Sequence, residues 1–365
     1  MAVSITRRRL RRSDCSGPGL RRVGRGRGFT YLDEDGRRIE DPAVIDRVRG
    51  LAIPPAWKEV WICSDEWGHL QATGVDAAGR KQYLYHPRWR ERRDREKFER
   101  MERFGCSLPG LREQMAADIA GEEPTRERVL AGAVRLLDVG LFRVGSEAYA
   151  EDDHGVGLAT VRRDHVTLRG NAIVFDYPAK GGIQRVQVIE DPLSGDLVRQ
   201  LRRRRGGPPE LLAYREGRRW VDLRSGDINE YLKRHLGGEF SAKDFRTWNA
   251  TVLAAVSVGA DAPNATTKAA RKRAVDRAVR GVSEMLGNTP AVARRSYIDP
   301  RVFDRYLSGW TIAGALDRVD EIDVTDAGDR ARLERAVLDL LEDDADSAAL
   351  QRAPRAPRAP RAKAA

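Results

Sequence analysis

The periodicity of this chain changes character near residue 90, and that change limits what it can fold into. Between Phe29 and about Trp89, short apolar–polar runs alternate with turn signals. Phe29-Thr30-Tyr31-Leu32 precedes Asp33-Glu34-Asp35-Gly36, and Val60-Trp61-Ile62-Cys63 precedes the turn-like Ser64 to Gly68. His69 to Gly74 then leads into Asp76-Ala77-Ala78-Gly79. A two-residue period punctuated in this way predicts a small, mostly antiparallel β region built of hairpins. A helix over 42–49 interrupts it, with Asp41 as cap and Pro42 at the first helical position. The charged stretch 88–103 predicts a helix linking two lobes, with a solvated face carrying Glu–Arg pairs. From Leu108 onward the pattern is helical, and 126–138 sets Val129, Leu130, Val134 and Leu137 on one face. Strand-like runs at 158–161, 173–177 and 183–189 follow, the last two flanking the hairpin signal Pro178-Ala179-Lys180-Gly181-Gly182. Helices resume at Asp196 and continue to about Leu341.

The expected fold class is therefore α+β, with a small β-rich N-terminal lobe and a mainly α-helical lobe that carries a small antiparallel sheet. At 365 residues the chain is long enough for two domains with their own cores. The expected divisions are a disordered basic arm at 1–28, a β-rich domain at 29–90, a helical domain at 91–325, and a C-terminal helix with a disordered tail at 326–365. The arm is rich in Arg and Gly, and the tail repeats Arg-Ala-Pro three times between 352 and 362, so neither is expected to bury a core.

A formal net charge of +11 favours a polyanionic partner. Only nine of the 66 basic residues are lysine, an arginine skew that codon bias explains in part. Cys15, Cys63 and Cys106 form no Cys-x-x-Cys pair, so neither a zinc ribbon nor a disulfide framework is expected, and a reducing cytoplasm is the natural compartment. No long apolar run suggests a membrane span or a secretory signal. The five histidines are scattered without zinc-ligand spacing, and Asp152-Asp153-His154 reads as a solvated turn. No metal and no cofactor are expected.

The chemistry gathers around Leu286-Gly287-Asn288-Thr289-Pro290, which opens a short helix ending at Arg294-Arg295-Ser296-Tyr297. A phenol with a pKa near 10 is a weak nucleophile at neutral pH and needs activation. Arginines, always charged and forked, supply such help where a phosphate gathers negative charge. Upstream stand Arg143 in Leu141-Phe142-Arg143-Val144-Gly145, Lys180 at the hairpin tip, and Arg246 in Lys243-Asp244-Phe245-Arg246-Thr247-Trp248. Each alone has an ordinary structural reading, and Trp248 reads as core. Together and in this order they predict a phosphoryl-transfer site.

Phe142-Arg143-x-Gly145, Val156-Gly157-Leu158-x-Thr160, Lys243-Asp244-x-Arg246-Thr247 and Gly287-x-Thr289-Pro290 with Tyr297 resemble the type IB DNA topoisomerases, in particular their poxvirus and bacterial branch. Ile53-Pro54-Pro55-Ala56-Trp57 and Gly79-Arg80-Lys81-Gln82-Tyr83-Leu84-Tyr85 extend the resemblance into the N-terminal region, so that it covers about 28–305. It implies the catalytic fold shared with tyrosine recombinases. It also implies ATP- and metal-independent relaxation of duplex DNA through a 3′-phosphotyrosyl intermediate, by a monomer that clamps the duplex in the cytoplasm, on the nucleoid.

By the same resemblance Tyr297 is the nucleophile, Arg143 and Arg246 bind the phosphate, and Lys180 is the general acid toward the leaving 5′-oxygen. Asn288 stands where poxvirus and eukaryotic members have histidine. An amide donates a hydrogen bond but carries no proton, so a hydrogen-bonding role is expected there. Ala179 stands where the family commonly has glycine. Arg80, Lys81, Gln82, Tyr83 and Tyr85 match DNA-contacting positions, with Tyr83 and Tyr85 on one side of a strand; as plain sheet residues, the tyrosines would serve packing. Two other functions compete. A tyrosine recombinase or integrase usually places histidine where this chain has Lys243 and has a helical N-terminal lobe. A non-catalytic DNA-binding protein would not need Tyr297, Arg143, Arg246 and Lys180 together. Type IA and type II enzymes need acidic metal clusters, which the sequence does not offer.

Overall fold

The computed structural model describes residues 8–26, 28–145, 155–316 and 326–354, and the chain divides into two compact units, 1–99 and 100–365. The first holds a five-stranded antiparallel sheet in the order β2-β1-β3-β4-β5. Its strands are β1 (Leu20–Arg25), β2 (Gly28–Leu32), β3 (Lys58–Ile62), β4 (Leu70–Val75) and β5 (Lys81–Tyr85). Helix α1 (Pro42–Gly50) starts as expected, with the Asp41 carboxylate accepting from the Ala43 N–H and proline in the first turn. The core is Leu20, Val48, Val60, Ile62 and Ala72, with Tyr31, Ile39, Val44, Trp57 and Leu84 packed around it.

The N-terminal arm departs from expectation. Residues 20–25 form β1, which pairs with both β2 and β3 and so lies inside the sheet. Ahead of it, the Arg11 N–H donates to the Trp67 carbonyl at 2.9 Å, and the Arg11 carbonyl accepts from His69 at 2.8 Å. Arginine content argued for a solvated lead, yet Leu20 is buried and Val23 is Cα partner to Thr30 in the sheet. Backbone pairing here outweighs composition.

In the second unit, α3 (Arg126–Gly140) and α6 (Ala242–Asp261) are buried on almost every side, as helices at the centre of a helical unit must be. Around them lie the latter part of α2 (Pro87–Ile119) together with α4 (Pro192–Arg203), α5 (Ser225–Leu236), α7 (Lys268–Leu286) and α8 (Pro290–Ser296). The chain continues through α9 (Pro300–Ser308), α10 (Ala313–Leu316) and α11 (Ala327–Glu342). A three-stranded sheet, β6-β7-β8, comprises Val166–Arg169, Ala172–Ala179 and Ile183–Glu190. Trp248 is core, as read from the sequence; a Cβ on Gly105 would stand 2.6 Å from its ring, so α2 approaches α6 closely because that position is glycine.

Three further departures have local causes. The run 158–161 forms a 3₁₀ turn over Leu158–Thr160 rather than a strand. Its N–H groups are taken by the carbonyls of Arg143 and Val144, at 2.8 and 2.7 Å. A small hairpin, β9 (Ala213–Glu216) with β10 (Arg219–Asp222), appears where only helices and loops were expected. At the C-terminus, β12 (Gln351–Arg352) pairs with β11 (Trp310–Thr311), and Arg271 donates to the carbonyls of Ala353 and Pro354 at 3.2 and 2.9 Å. The first Arg-Ala-Pro repeat is therefore docked, while 355–365, like Asp152-Asp153-His154, lies outside the described residues.

A buried ionic network joins these helices. Asp138, fully buried at the end of α3, accepts from Arg112 of α2 at 3.0 Å and from Arg330 of α11 at 2.6 Å. Arg112 also meets Glu334 at 2.7 Å, and Arg330 meets Asn249 of α6 at 3.0 Å. Burial alone would raise the Asp138 pKa, but Arg330 and Arg112 outweigh it and hold the carboxyl below its ordinary range.

Candidate active site

Helix α3 stops because Leu141 adopts the left-handed conformation, at φ 55° and ψ 25°. A leucine there is strained. It is held by burial of its side chain and by its carbonyl, which accepts a hydrogen bond from Arg246. The reversal sends Phe142 into the core, 4.9 Å from the Phe175 ring, and brings Arg143 out half-buried. Two glycines make this loop possible. Gly145, at φ 82°, lies so close to Gly157 that a Cβ on it would stand 2.9 Å from the Gly157 Cα. The two glycine-bearing motifs of the sequence are thus two halves of one contact, closed by the Leu158 and Ala159 bonds to Arg143 and Val144.

Arg246 lies near the start of α6, where the Asp244 carboxylate accepts from the Ser241 N–H at 2.8 Å and from Arg100 at 2.8 Å. It is 3% exposed and donates to two backbone carbonyls, Leu141 and, at 2.8 Å, Leu286, and it also hydrogen-bonds the Tyr297 side chain. Its Nε has no partner among the described residues. Burial and then the Arg143 charge push its pKa down to about 10, which leaves it charged at neutral pH.

Tyr297 ends α8 as the sequence predicted: Thr289 caps the helix, Pro290 opens it, and the Tyr297 N–H closes on the Ala293 carbonyl at 3.0 Å. The Tyr297 carbonyl accepts from Thr251 of α6 at 3.3 Å, which ties the tyrosine to the helix bearing Arg246. The Arg246 guanidinium carbon lies 5.3 Å from the centre of the Tyr297 ring. Burial raises the phenol pKa, but the charge and hydrogen bond of Arg246, joined by the charges of Lys243 and Arg143, outweigh it, and the net shift is downward.

Arg143 donates to the Asn288 Oδ1 at 2.6 Å and to the Gly287 carbonyl at 3.1 Å. With its oxygen engaged, the Asn288 amide turns its nitrogen away, and that buried Nδ2 has no partner among the described residues. A buried donor left unmade is costly unless a ligand completes it. Lys180 is exposed at the tip of β7–β8, in a turn closed by the Gly182 N–H on the Ala179 carbonyl at 2.9 Å. Arg143, Lys180 and Asn288 line one groove of about 640 Å³, with Thr289 and Val292 beyond them. The geometry therefore brings Tyr297 to Arg246 and sets Arg143, Asn288 and Lys180 around a common space.

Sequence reasoning missed Arg185, which lines the same groove. The signal was present in β8, where alternation is inverted: Val186 and Val188 are exposed while Arg185 and Gln187 face inward. A strand that hides its polar residues faces a polar space. Lys243, weighed only as a family marker, also contributes charge at Tyr297.

In the first unit, Tyr83 and Tyr85 share one face of β5 with ring centres 6.2 Å apart, and the Lys81 ammonium lies 5.9 Å from the Tyr83 ring centre. Arg80 and Gln82 are engaged elsewhere. Asp76 accepts from Arg80 at 2.8 Å and from Gln82 at 2.9 Å, and chiefly the Arg80 hydrogen bond lowers its pKa to about 2. Among the described residues there is no group of three or more His, Cys, Asp or Glu suited to a metal ion, and no helix long and apolar enough to cross a membrane.

Residues 86–311, more than half of the chain, match the family model for the catalytic core of eukaryotic DNA topoisomerase I, and 28–76 match the N-terminal domain of bacterial DNA topoisomerase IB. DNA topoisomerase 1B of Acanthamoeba polyphaga mimivirus is 28% identical over 287 residues, which cover 77% of this chain and 85% of that protein. DNA topoisomerase 1B of Vaccinia virus (strain Copenhagen) is 20% identical over 278 residues, 73% of this chain and 82% of that protein. DNA topoisomerase 1 of Schizosaccharomyces pombe is 31% identical over 161 residues, 43% of this chain but only 19% of that much longer protein. The loop geometry of Arg143, the pairing of Arg246 with Tyr297 and these matches converge on one assignment: the chain belongs to the type IB DNA topoisomerase family.

Proposed function

We propose that this chain relaxes supercoiled duplex DNA by cutting one strand through a 3′-phosphotyrosyl intermediate, letting the free end rotate, and resealing it without ATP or metal. The observation that carries the reading is the pairing of Tyr297 with Arg246, whose charge makes the phenol more acidic and whose Nε is unused, while Arg143 holds Asn288 with its Nδ2 also unused. The Tyr297 oxygen attacks phosphorus, forming the P–O(Tyr) bond as the P–O5′ bond breaks. The phenol proton goes to solvent, and Lys180 delivers a proton to the departing 5′-oxygen. Arg143, Arg246 and the Asn288 amide stabilise the charge that the phosphorane gathers on its non-bridging oxygens, and removing one such donor is expected to slow cleavage by about 10²–10³. Resealing is the same path reversed, so the covalent link conserves the energy of the broken bond. Lys81, Tyr83 and Tyr85 contact the duplex through phosphate and sugar. Tyr297 is paired with Arg246 of its own chain, and we read the acting unit as a monomer.

The test is plasmid relaxation in EDTA without nucleotide. The native chain relaxes supercoils under those conditions, and Tyr297→Phe does not, while still binding the duplex. Relaxation by Tyr297→Phe at the native rate would refute the reading. Exchange of strands between two defined sites would instead favour a recombinase.

A further inference from the structure

Lys180 has a placement problem. It is exposed at a hairpin tip, follows Ala179, and is followed by two glycines at φ 81° and 73°; among the described residues its ammonium has no hydrogen-bond or ion-pair partner. Its position over the groove is therefore set by whatever holds the hairpin. At the base of the hairpin, Gln187 donates to the Gly140 carbonyl and accepts from the Tyr177 hydroxyl at 2.6 Å. Nearer the tip the anchor is Arg185, the cross-strand partner of Tyr177. Its guanidinium donates to the Met285 carbonyl in the last turn of α7 and lies against Gly287, where a Cβ would stand 2.5 Å from Nη1. Gly287 is the left-handed cap that turns the chain into Asn288, at φ 59°. Arg185 thus bridges the strand that leads away from Lys180 and the turn that presents Asn288, and both border the groove into which Arg143 reaches.

Resting on the reading of Lys180 as proton donor, we propose that Arg185 is a positioning residue: by clamping the β7–β8 hairpin to the end of α7, it sets Lys180 at the leaving 5′-oxygen. It acts through Lys180 and makes no phosphate contact of its own. Arg185 is spent on a helix-terminal carbonyl, where a cation is favoured. Its neighbours in charge are Arg143, Arg246 and Tyr177, and Glu284 borders the groove.

A scissile linkage carrying sulfur in place of the bridging 5′-oxygen separates the two roles, because a thiolate leaves without being protonated. Single-turnover cleavage by the full-length protein is measured on matched oxygen and sulfur duplexes containing a cleavage site mapped on plasmid DNA. Lys180→Ala is expected to lose about 10²–10⁴-fold on oxygen, the usual range for a general acid, and to approach the native rate on sulfur. Arg185→Ala should lose at least roughly tenfold on oxygen and recover on sulfur, and Arg185→Lys should restore part of the oxygen rate, in keeping with positioning rather than proton transfer. Arg143→Ala should stay slow on both. If Lys180→Ala recovers on sulfur but Arg185→Ala does not, or if Arg185→Ala is unimpaired on oxygen, the proposal falls and the role of Lys180 stands. If Lys180→Ala fails to recover, both fall. The Arg185→Lys protein keeps the test open should Arg185→Ala fold poorly.

Discussion

Under the proposed function, Asn288 bears on the pH dependence near neutrality. A histidine there would titrate near 6.5, whereas an amide does not titrate. The cleavage rate is therefore expected to show no inflection between pH 6 and 8, and Asn288→His to introduce one, as read by single-turnover cleavage across pH. At higher pH the rate should rise as the Tyr297 phenol ionises. Burial opposes that ionisation, but Arg246, Lys243 and Arg143 favour it more strongly, so the rising limb should inflect below the ordinary tyrosine value of about 10. Removing one of those positive charges without touching the helix cap, as in Lys243→Ala, should move the inflection upward. A downward shift would mean that charge is not what lowers the phenol. That Tyr297, Arg143 and Arg246 come together was legible in the sequence, from residue type and order. Arg185 was not, because an arginine on a strand looks like any solvated side chain until the fold closes over it.

The elements that carry these side chains are placed by contacts no single motif reveals. Gly157→Ala would put a methyl group against Gly145 and 2.9 Å from the Arg143 carbonyl, and so displace the Arg143 loop. Cleavage is expected to fall about 10²-fold, the cost of roughly an ångström of misplacement, with DNA binding retained. Equal losses in binding and cleavage would place the fault elsewhere. Beneath that loop, Asp138 ties α2, α3 and α11 together in a buried ionic network. Asp138→Asn leaves buried arginines uncompensated and is expected to cost about 3–5 kcal/mol, read from the denaturant midpoint. Because the folded Asp138 carboxyl titrates below its unfolded value, its contribution is present at neutral pH and is lost as pH falls through the folded pKa. Helices α1, α3 and α8 were legible from caps and periodicity. The turn at 158–160 was not, because Leu158, Ala159 and Val161 are all buried and the run carries no alternation to distinguish strand from turn.

At the scale of the whole molecule, the proposed function, the charge of +11 and the Lys81–Tyr83–Tyr85 face of the first unit lead us to expect that the duplex is met mainly through phosphates. Binding should weaken steeply with salt, and Lys81→Ala should reduce the slope of log K against log salt by about 0.9 per lost phosphate contact. An affinity indifferent to salt would contradict this. The β-to-helix switch was plain in the sequence, but the ends were not. Arginine-rich text conceals β1 at one end and β12 at the other, because main-chain pairing does not depend on side-chain polarity. The central claim, that Tyr297 is the nucleophile of a strand-cutting reaction, is tested most directly by trapping the protein on DNA with denaturant and mapping the adduct by peptide mass spectrometry. The account predicts a 3′-phosphate esterified to Tyr297 and a free 5′-hydroxyl strand. A 5′-linked adduct, or an adduct on another residue, would contradict it.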